Sequence, residues 1–337
     1  MMTSGLFDWQ TRFEQLSNSG DPLVKLNEIV GWEQFRKSLE IIRDIDKKSP
    51  AGRKPFDVIL MFKIMILQSL YNLSDDQVEF QIRDRLSFMR FLRLSLSDTV
   101  PDAKTIWLFR EQLTEANLVK KLFNQFDEFL NKNGFSAKKG QIVDASIVSA
   151  PKQRNSRQEN KDIKNGNIPQ DWSDNKRRQK DTDARWVKKN GDNHFGYKNH
   201  IDIDVEHKLI REYEVTPTSV HDSNVFEQLL DNDNSSSDVW ADSAYGSSEK
   251  IMYLLDNNFR SHVQRKGCRY KKLSECQRRC NYNRAKIRCR IEHVFGVQAM
   301  RAGNLLIRTI GIVRAKAKIG LRNLAYNIDR YCLLVRA

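Results

Sequence analysis

Three acidic residues stand where the surrounding pattern predicts none. Asp144 interrupts the β-branched run "GQIVDASIVSA" (140–150), Asp242 ends "VWAD" where a strand gives way to a turn, and Glu292 is the one acid in "KIRCRIEHVFGVQAMR" (286–301). Singly, each has an ordinary reading: a strand-end Asp serves a turn, and a helix Glu pairs with a nearby Arg. Together, a strand, a strand end and a following helix can converge on one point. Making or breaking a phosphodiester places negative charge on the attacking, leaving and non-bridging oxygens, and two Mg²⁺ ions roughly 3.5–4 Å apart clamp those oxygens. Mg²⁺ prefers carboxylate oxygens and retained waters. Three carboxylates leave such an ion pair with residual attraction for phosphate.

The elements that must hold these acids follow from periodicity. At ~100° per residue, Ile287, Ile291, Val294 and Gln298 share one face of the basic helix, with Phe295 beside them, and Lys286, Arg290 and His293 lie opposite. Arg288, Glu292 and Ala299 fall at the margin, so Glu292 is directed to the edge of the core, with Arg288 one turn earlier and near enough to hold it. "HFGYKNHIDIDVEHKLIREYEVTP" (194–217) alternates like two strands joined at "EHK", "DVWADSAYGS" (238–247) reads as a short strand and a turn, "SSEKIMYLLDNN" (247–258) as a helix and "FRSHVQR" (259–265) as another strand. The second part of the chain, 136–337, is therefore an α/β (α+β) domain with mixed strand directions. Residues 151–193 are polar and basic, with few apolar residues besides Trp172 and Trp186. They read as an excursion that is disordered or ordered by a partner.

Residues 1–135 read as an all-α domain. "NEIVGWEQFRKSLEIIRDI" (27–45) has apolar residues at helical spacing, Pro55 can start an apolar and buried helix, and Ser74 with Gln77 forms a capping-box pattern. Another helix is expected from near Asp102, and one over 115–134 with Gly134 as its stop.

Charge separates the two parts. Among 337 residues, 57 Lys and Arg face 43 Asp and Glu, a net charge of +14. Residues 1–135 are neutral, 194–259 carry 4 basic against 13 acidic residues, and 260–337 carry 20 basic against 3 acidic. So dense a basic cluster suits a polyanion such as nucleic acid; the helical part gives no electrostatic case for binding DNA. The acidic block around Asp231 and Asp238 has no role readable from sequence. Five cysteines, an odd number, with no signal peptide read at the start, favour a reducing compartment. Cys268, Cys276, Cys280 and Cys289 fit no common zinc spacing. The apolar run 56–67 contains Asp57 and Lys63 and is too short for a bilayer, so no membrane segment is expected.

The chain resembles the DDE transposases of bacterial insertion sequences, in the group often called family five. "DPLVKLNEIVGWEQFR" (21–36) and 73–113 look like its helical N-terminal domain; "VDAS" (143–146), "GYKNHIDID" (196–204), "VTPTSVHDS" (215–223), "ADSAYGS" (241–247) and "RIEHVFG" (290–296) look like its catalytic domain. The resemblance implies an RNase H-like mixed sheet flanked by helices, with Asp144, Asp242 and Glu292 as catalytic acids and metal ligands. Asp144 would bridge two Mg²⁺ ions, Mn²⁺ substituting, while Asp242 holds one and Glu292 the other. Arg288 matches the family's Arg four residues before the Glu. Ala285 and Ala299 stand where the wider group often has Tyr and Lys; Tyr282 and Arg301 lie nearby but out of register, and Arg301 or Lys286 is left to contact the terminal phosphate. His221 and Asp222 match the "HDS" block, read as a hairpin-end brace more than as metal ligands.

The implied activity is binding of inverted-repeat ends by a cytoplasmic, nucleoid-associated bacterial protein, cleavage to expose a 3′-OH, and joining to target DNA within a homodimer or larger assembly. The helical domain is expected to serve end binding and assembly. Lys271, Lys272, Arg278, Arg279, Lys286, Arg288, Arg290 and Arg301, with Arg177 and Arg178 of the excursion, are expected to grip DNA. Local packing is the favoured reading of Trp172 and Trp186, with stacking on an unpaired base as the alternative for either. Rival readings are a metal-dependent nuclease without joining, and a transposase-derived DNA-binding protein without catalysis.

Overall fold

The computed structural model describes residues 8–43, 54–189, 191–270, 272–302 and 306–335. They form two compact units, Met1–Phe126 with Leu324–Ala337, and Asp127–Asn323.

The first unit is helical: α1 (Asp8–Asn18), α2 (Pro22–Ile29), α3 (Arg36–Glu40), α4 (Val58–Tyr71), α5 (Asp75–Asp84), α6 (Leu86–Leu92), α7 (Ala103–Glu115) and most of α8 (Leu118–Lys132), joined by the end of the C-terminal helix. α4 is its centre, buried on nearly every side. It starts later than Pro55 suggests, because the Asp57 carboxylate accepts from the Ile59 and Leu60 N–H groups and so caps the first turn. The capping box of Ser74 and Gln77 forms, and Asp102 caps α7 through the Thr105 N–H at 2.7 Å. The single helix expected over 27–45 is broken. Val30 is extended after α2, and a 3-10 turn at Trp32–Phe35 precedes α3, a break that lets Trp32, Phe35 and Leu39 all reach the core. Lys63 is buried among these helices, donating to Asn27 Oδ1 at 2.7 Å and to the Phe91 carbonyl.

The second unit is built on a six-stranded sheet: β1 (Gln141–Ser149), β2 (Arg185–Lys189), β3 (Asp192–Asp204), β4 (Ile210–Pro217), β5 (Asp238–Ala241) and β6 (Arg260–Ser261). The order is β2-β3-β1-β5-β6, with β4 also on β3. β1–β3, β2–β3 and β3–β4 are antiparallel; β1–β5 and β5–β6 are parallel. With α9 (Arg157–Lys164), α10 (Asp174–Gln179), α11 (Phe226–Leu229), α12 (Ser248–Asp256), α13 (Glu275–Ala302) and α14 (Ile312–Leu334), this is the expected RNase H-like mixed sheet flanked by helices. β6 is only two residues, shorter than the strand read over 259–265.

The sheet's core includes Val143, Val239, Ala241, Phe226, Tyr245 and Leu254. A separate polar core ties β3 to α13 and α14: Asn199 and Asn323 exchange amide hydrogen bonds at 2.9 and 3.0 Å, and Gln298 donates to Asn323 Oδ1 at 3.0 Å. Three buried amides that satisfy one another fix α13 against the sheet. At Gly196 a β-carbon would collide with the Val148 carbonyl, and φ is +149°, so β1 and β3 approach closely only because this residue is glycine.

The excursion is folded within the chain, contrary to the sequence expectation. Ser156 and Glu159 form a capping box for α9, Ser173 caps α10, and β2 joins the sheet beside β3. Trp172 is the excursion's apolar anchor; the residue is 3% exposed and its indole N–H donates to Glu159 at 2.6 Å. Among the described residues no single helix is long and apolar enough to cross a membrane.

Candidate active site

β1 and β5 run parallel with Val143 opposite Ala241, so the next residues along the chain, Asp144 and Asp242, follow side by side. α13 packs against both strands. Its inner face is Ile291 and Val294, both fully buried, with Gln298. This is the face periodicity selects, and it turns Arg288 toward β1.

Arg288 draws the site together. Its Nη1 donates to Asp144 Oδ2 at 2.7 Å and its Nη2 to Glu292 Oε1 at 3.3 Å. Asp144 Oδ1 accepts from the Ala145 N–H at 2.8 Å. Asp242 caps the short 3-10 turn Ser243–Tyr245 through the Ala244 N–H at 2.7 Å, so it serves the turn as well. The Glu292 side chain is 60% exposed, further into solvent than its place at the helix margin suggests, because a long side chain at that margin can carry its charge out to water. Burial pushes the Asp144 carboxyl up to about 6; the Ala145 N–H and Arg288 oppose the rise, and the charges of Asp242 and Glu292 add to it.

Tyr245 is a site neighbour that sequence reasoning passed over. Its hydroxyl is fully buried with no hydrogen-bond partner among the described residues. Burial raises its pKa well above the ordinary value, and Asp144, Asp222 and Asp242 raise it further. Its place in "ADSAYGS", three residues after Asp242, was the available signal. Lys198 and His200 come from "GYKNHIDID" on β3. Lys198 donates to Asp222 Oδ1 and to the Val220 carbonyl, both at 2.7 Å. His200 Nε2 meets Thr216 Oγ1 at 2.8 Å, and burial lowers its pKa to about 4, so the ring is neutral. His221 caps the next turn through the Ser223 N–H, so the "HDS" block braces the end of β4.

The residues expected to grip DNA take varied positions. Lys286 lies over the Tyr282 ring at 4.5 Å on the exposed side of α13. Arg290 instead donates to the Val205 carbonyl at 2.8 Å, which engages its guanidinium with the end of β3. Arg278 donates to the Leu273 carbonyl at the start of α13 and remains exposed, as do Lys272, Arg279 and Arg301. Arg177 and Arg178 are exposed on α10. Lys271 lies outside the described residues. Trp186 is 43% exposed and packs against Phe195, whereas Trp172 is the buried anchor. Cys268, Cys276, Cys280 and Cys289 are exposed free thiols.

A divalent ion suits the donor chemistry, because the acids offer hard carboxylate oxygens and Asp144 is already desolvated. The guanidinium of Arg288 stands in for a cation between Asp144 and Glu292. Among the described residues no three acidic, imidazole or thiol groups surround one point as metal ligands. The donor types suit a hard divalent ion, and the side chain that joins two of the three acids is Arg288.

Two family models match the sequence. One, described as "Transposase DDE domain", covers residues 136–328, more than half of the chain; the other, described as "Transposase domain (DUF772)", covers 11–112.

Proposed function

The chain belongs to the DDE transposases, enzymes that act on DNA, and from that premise we propose that it binds the inverted-repeat ends of its own insertion sequence, cleaves there, and joins the resulting 3′-OH to target DNA. Asp144, Asp242 and Glu292 would hold two divalent ions, Mg²⁺ by donor type. Ions so held supply Lewis-acid stabilisation of the charge developing on the phosphoryl oxygens. The observation that carries this reading is the approach of Asp144, on β1, to Asp242, the residue that follows the parallel strand β5, with Glu292 linked to Asp144 through Arg288.

This chain's own groups divide the work. The parallel pairing of β1 with β5 brings two carboxylates to the same end of the sheet, and α13 brings the third with its basic neighbours. Asp144 is partly buried, and the lowered local dielectric strengthens its attraction for any cation. Lys272, Arg278, Arg279, Lys286 and Arg301, with Arg177 and Arg178, supply phosphate contacts whose strength falls with salt. Trp186 offers an exposed ring for an unpaired end base. The helical N-terminal part serves end binding and assembly, and the joining of two ends calls for a dimer or a larger complex.

The test uses purified protein, a labelled duplex carrying the element's end, a target plasmid and Mg²⁺, comparing wild type with Asp242→Asn. Joined product from wild type alone supports the proposal. Cleavage without joining favours a nuclease, and binding with neither product removes catalysis from the account.

A further inference from the structure

Arg288 spans the two acids in a manner that a plain structural clamp does not explain. Its two terminal nitrogens hold Asp144 and Glu292, yet its Nε is buried with no hydrogen-bond partner among the described residues. Buried donors are ordinarily satisfied, so this guanidinium is held by its charge at the expense of one of its donors. On Asp144, Oδ1 is engaged by the Ala145 N–H, which makes Oδ2 the oxygen presented to a ligand, and Oδ2 is the one Arg288 holds. A cation on Asp144 Oδ2 and the guanidinium therefore compete for the same oxygen and repel one another. Arg288 sits one helical turn before Glu292, so side-chain rotation alone can release both acids without moving α13.

We propose that Arg288 is the internal counter-ion of the metal site. It neutralises Asp144 and Glu292 before metal loading, is expelled when a divalent ion binds, and then turns to a DNA phosphate. The proposal deepens the two-metal reading above and rests on it. It makes metal and DNA mutually reinforcing: a phosphate gives the displaced guanidinium a new partner, and an ion gives the acids a new counter-charge, so each tightens the other. Arg288 is thus a positioning residue whose state reports whether the site is loaded.

The experiment measures Mn²⁺ binding to the full chain without DNA, by electron paramagnetic resonance of free Mn²⁺, in wild type, Arg288→Gln, Lys286→Ala and Asp144→Asn. Arg288→Gln is expected to tighten Mn²⁺ by about tenfold, within the range usual for coupled sites. Lys286→Ala removes the same charge from the same helix without touching the acids, and is expected to shift affinity by less than about twofold, as a screened surface charge does. A short duplex carrying the element's end is expected to tighten Mn²⁺ binding to wild type and to have little effect on Arg288→Gln. Unchanged or weaker binding by Arg288→Gln, or equal gains from Arg288→Gln and Lys286→Ala, would overturn the proposal. Loss of binding in Asp144→Asn with no gain in Arg288→Gln sinks the counter-ion alone. Wild-type binding by Asp144→Asn sinks the metal-site reading with it. If Arg288→Gln fails to fold, Arg288→Lys serves: an ammonium lacks the fork that spans both acids, and a smaller tightening of the same sign is expected, its absence counting against the proposal.

Discussion

Replacing Asp144 by Asn is expected to stabilise the metal-free protein at neutral pH while removing a group that the proposed chemistry needs. Burial raises the Asp144 carboxyl from 3.8 to about 6. The folded protein therefore binds this proton more tightly than the unfolded chain does. The resulting stability is fully present below the unfolded value and is lost as pH rises through about 6. A shift of roughly two units corresponds to about 3 kcal/mol at pH 7.5, at about 1.4 kcal/mol per unit. Asn retains a carbonyl for the Ala145 N–H but surrenders the ionic hydrogen bond from Arg288, so a net gain of about 1–3 kcal/mol is expected. For a domain of this size that raises the melting temperature by roughly 2–4 °C per kcal/mol. Calorimetric melts of both proteins in EDTA at pH 7.5 and pH 4 measure it. The gain should be present at pH 7.5 and nearly absent at pH 4. If the Asp144→Asn variant is no more stable than wild type at pH 7.5, or is equally favoured at both pH values, Asp144 is not held ionised against its solvation and the reasoning fails.

Other expectations follow from particular packing. Trp172→Ala should destabilise the second unit by about 3–5 kcal/mol, as loss of a buried aromatic does, and limited proteolysis should then cut within 151–189; Trp186→Ala should keep the fold and show its effect in binding to frayed DNA ends. Gly196→Ala places a β-carbon against the Val148 carbonyl and the Ala150 nitrogen, so expression should yield little soluble protein, and wild-type yield and melting would refute the close approach of β1 and β3. Burial lowers the Lys63 ammonium to about 8; the unfolded chain binds that proton more tightly, so stability of the helical unit should rise as pH climbs from about 8 toward 10, and Lys63→Met should flatten that rise in denaturant titrations.

Several features were available to sequence reasoning because they are local. The capping box at Ser74, the strand around Asp144, the hairpin over 194–217 and the inner face of α13 depend on residues within a few positions of one another. The broken helix over 27–45 and the late start of α4 escaped it, because Asp57 outcompeted Pro55 as a start signal and because core packing favoured a bend after Val30. The excursion looked unstructured because one buried tryptophan and two short capped helices contribute little to average composition.

What the sequence determined by itself was a set of residue types: three carboxylates out of pattern, a basic C-terminal quarter, and elements whose periodicity is written along the chain. Which of these residues meet depends on how distant segments pack. The parallel pairing of β1 with β5 sets Asp144 beside Asp242 across a separation of nearly a hundred residues. The clasp of Arg288 on Asp144 spans 144 positions, the buried hydroxyl of Tyr245 lies in the field of both Asp144 and Asp242, and Leu324 onward groups with the N-terminal helices. Periodicity is a property of neighbours in sequence, whereas register, burial and charge competition arise only when distant segments pack.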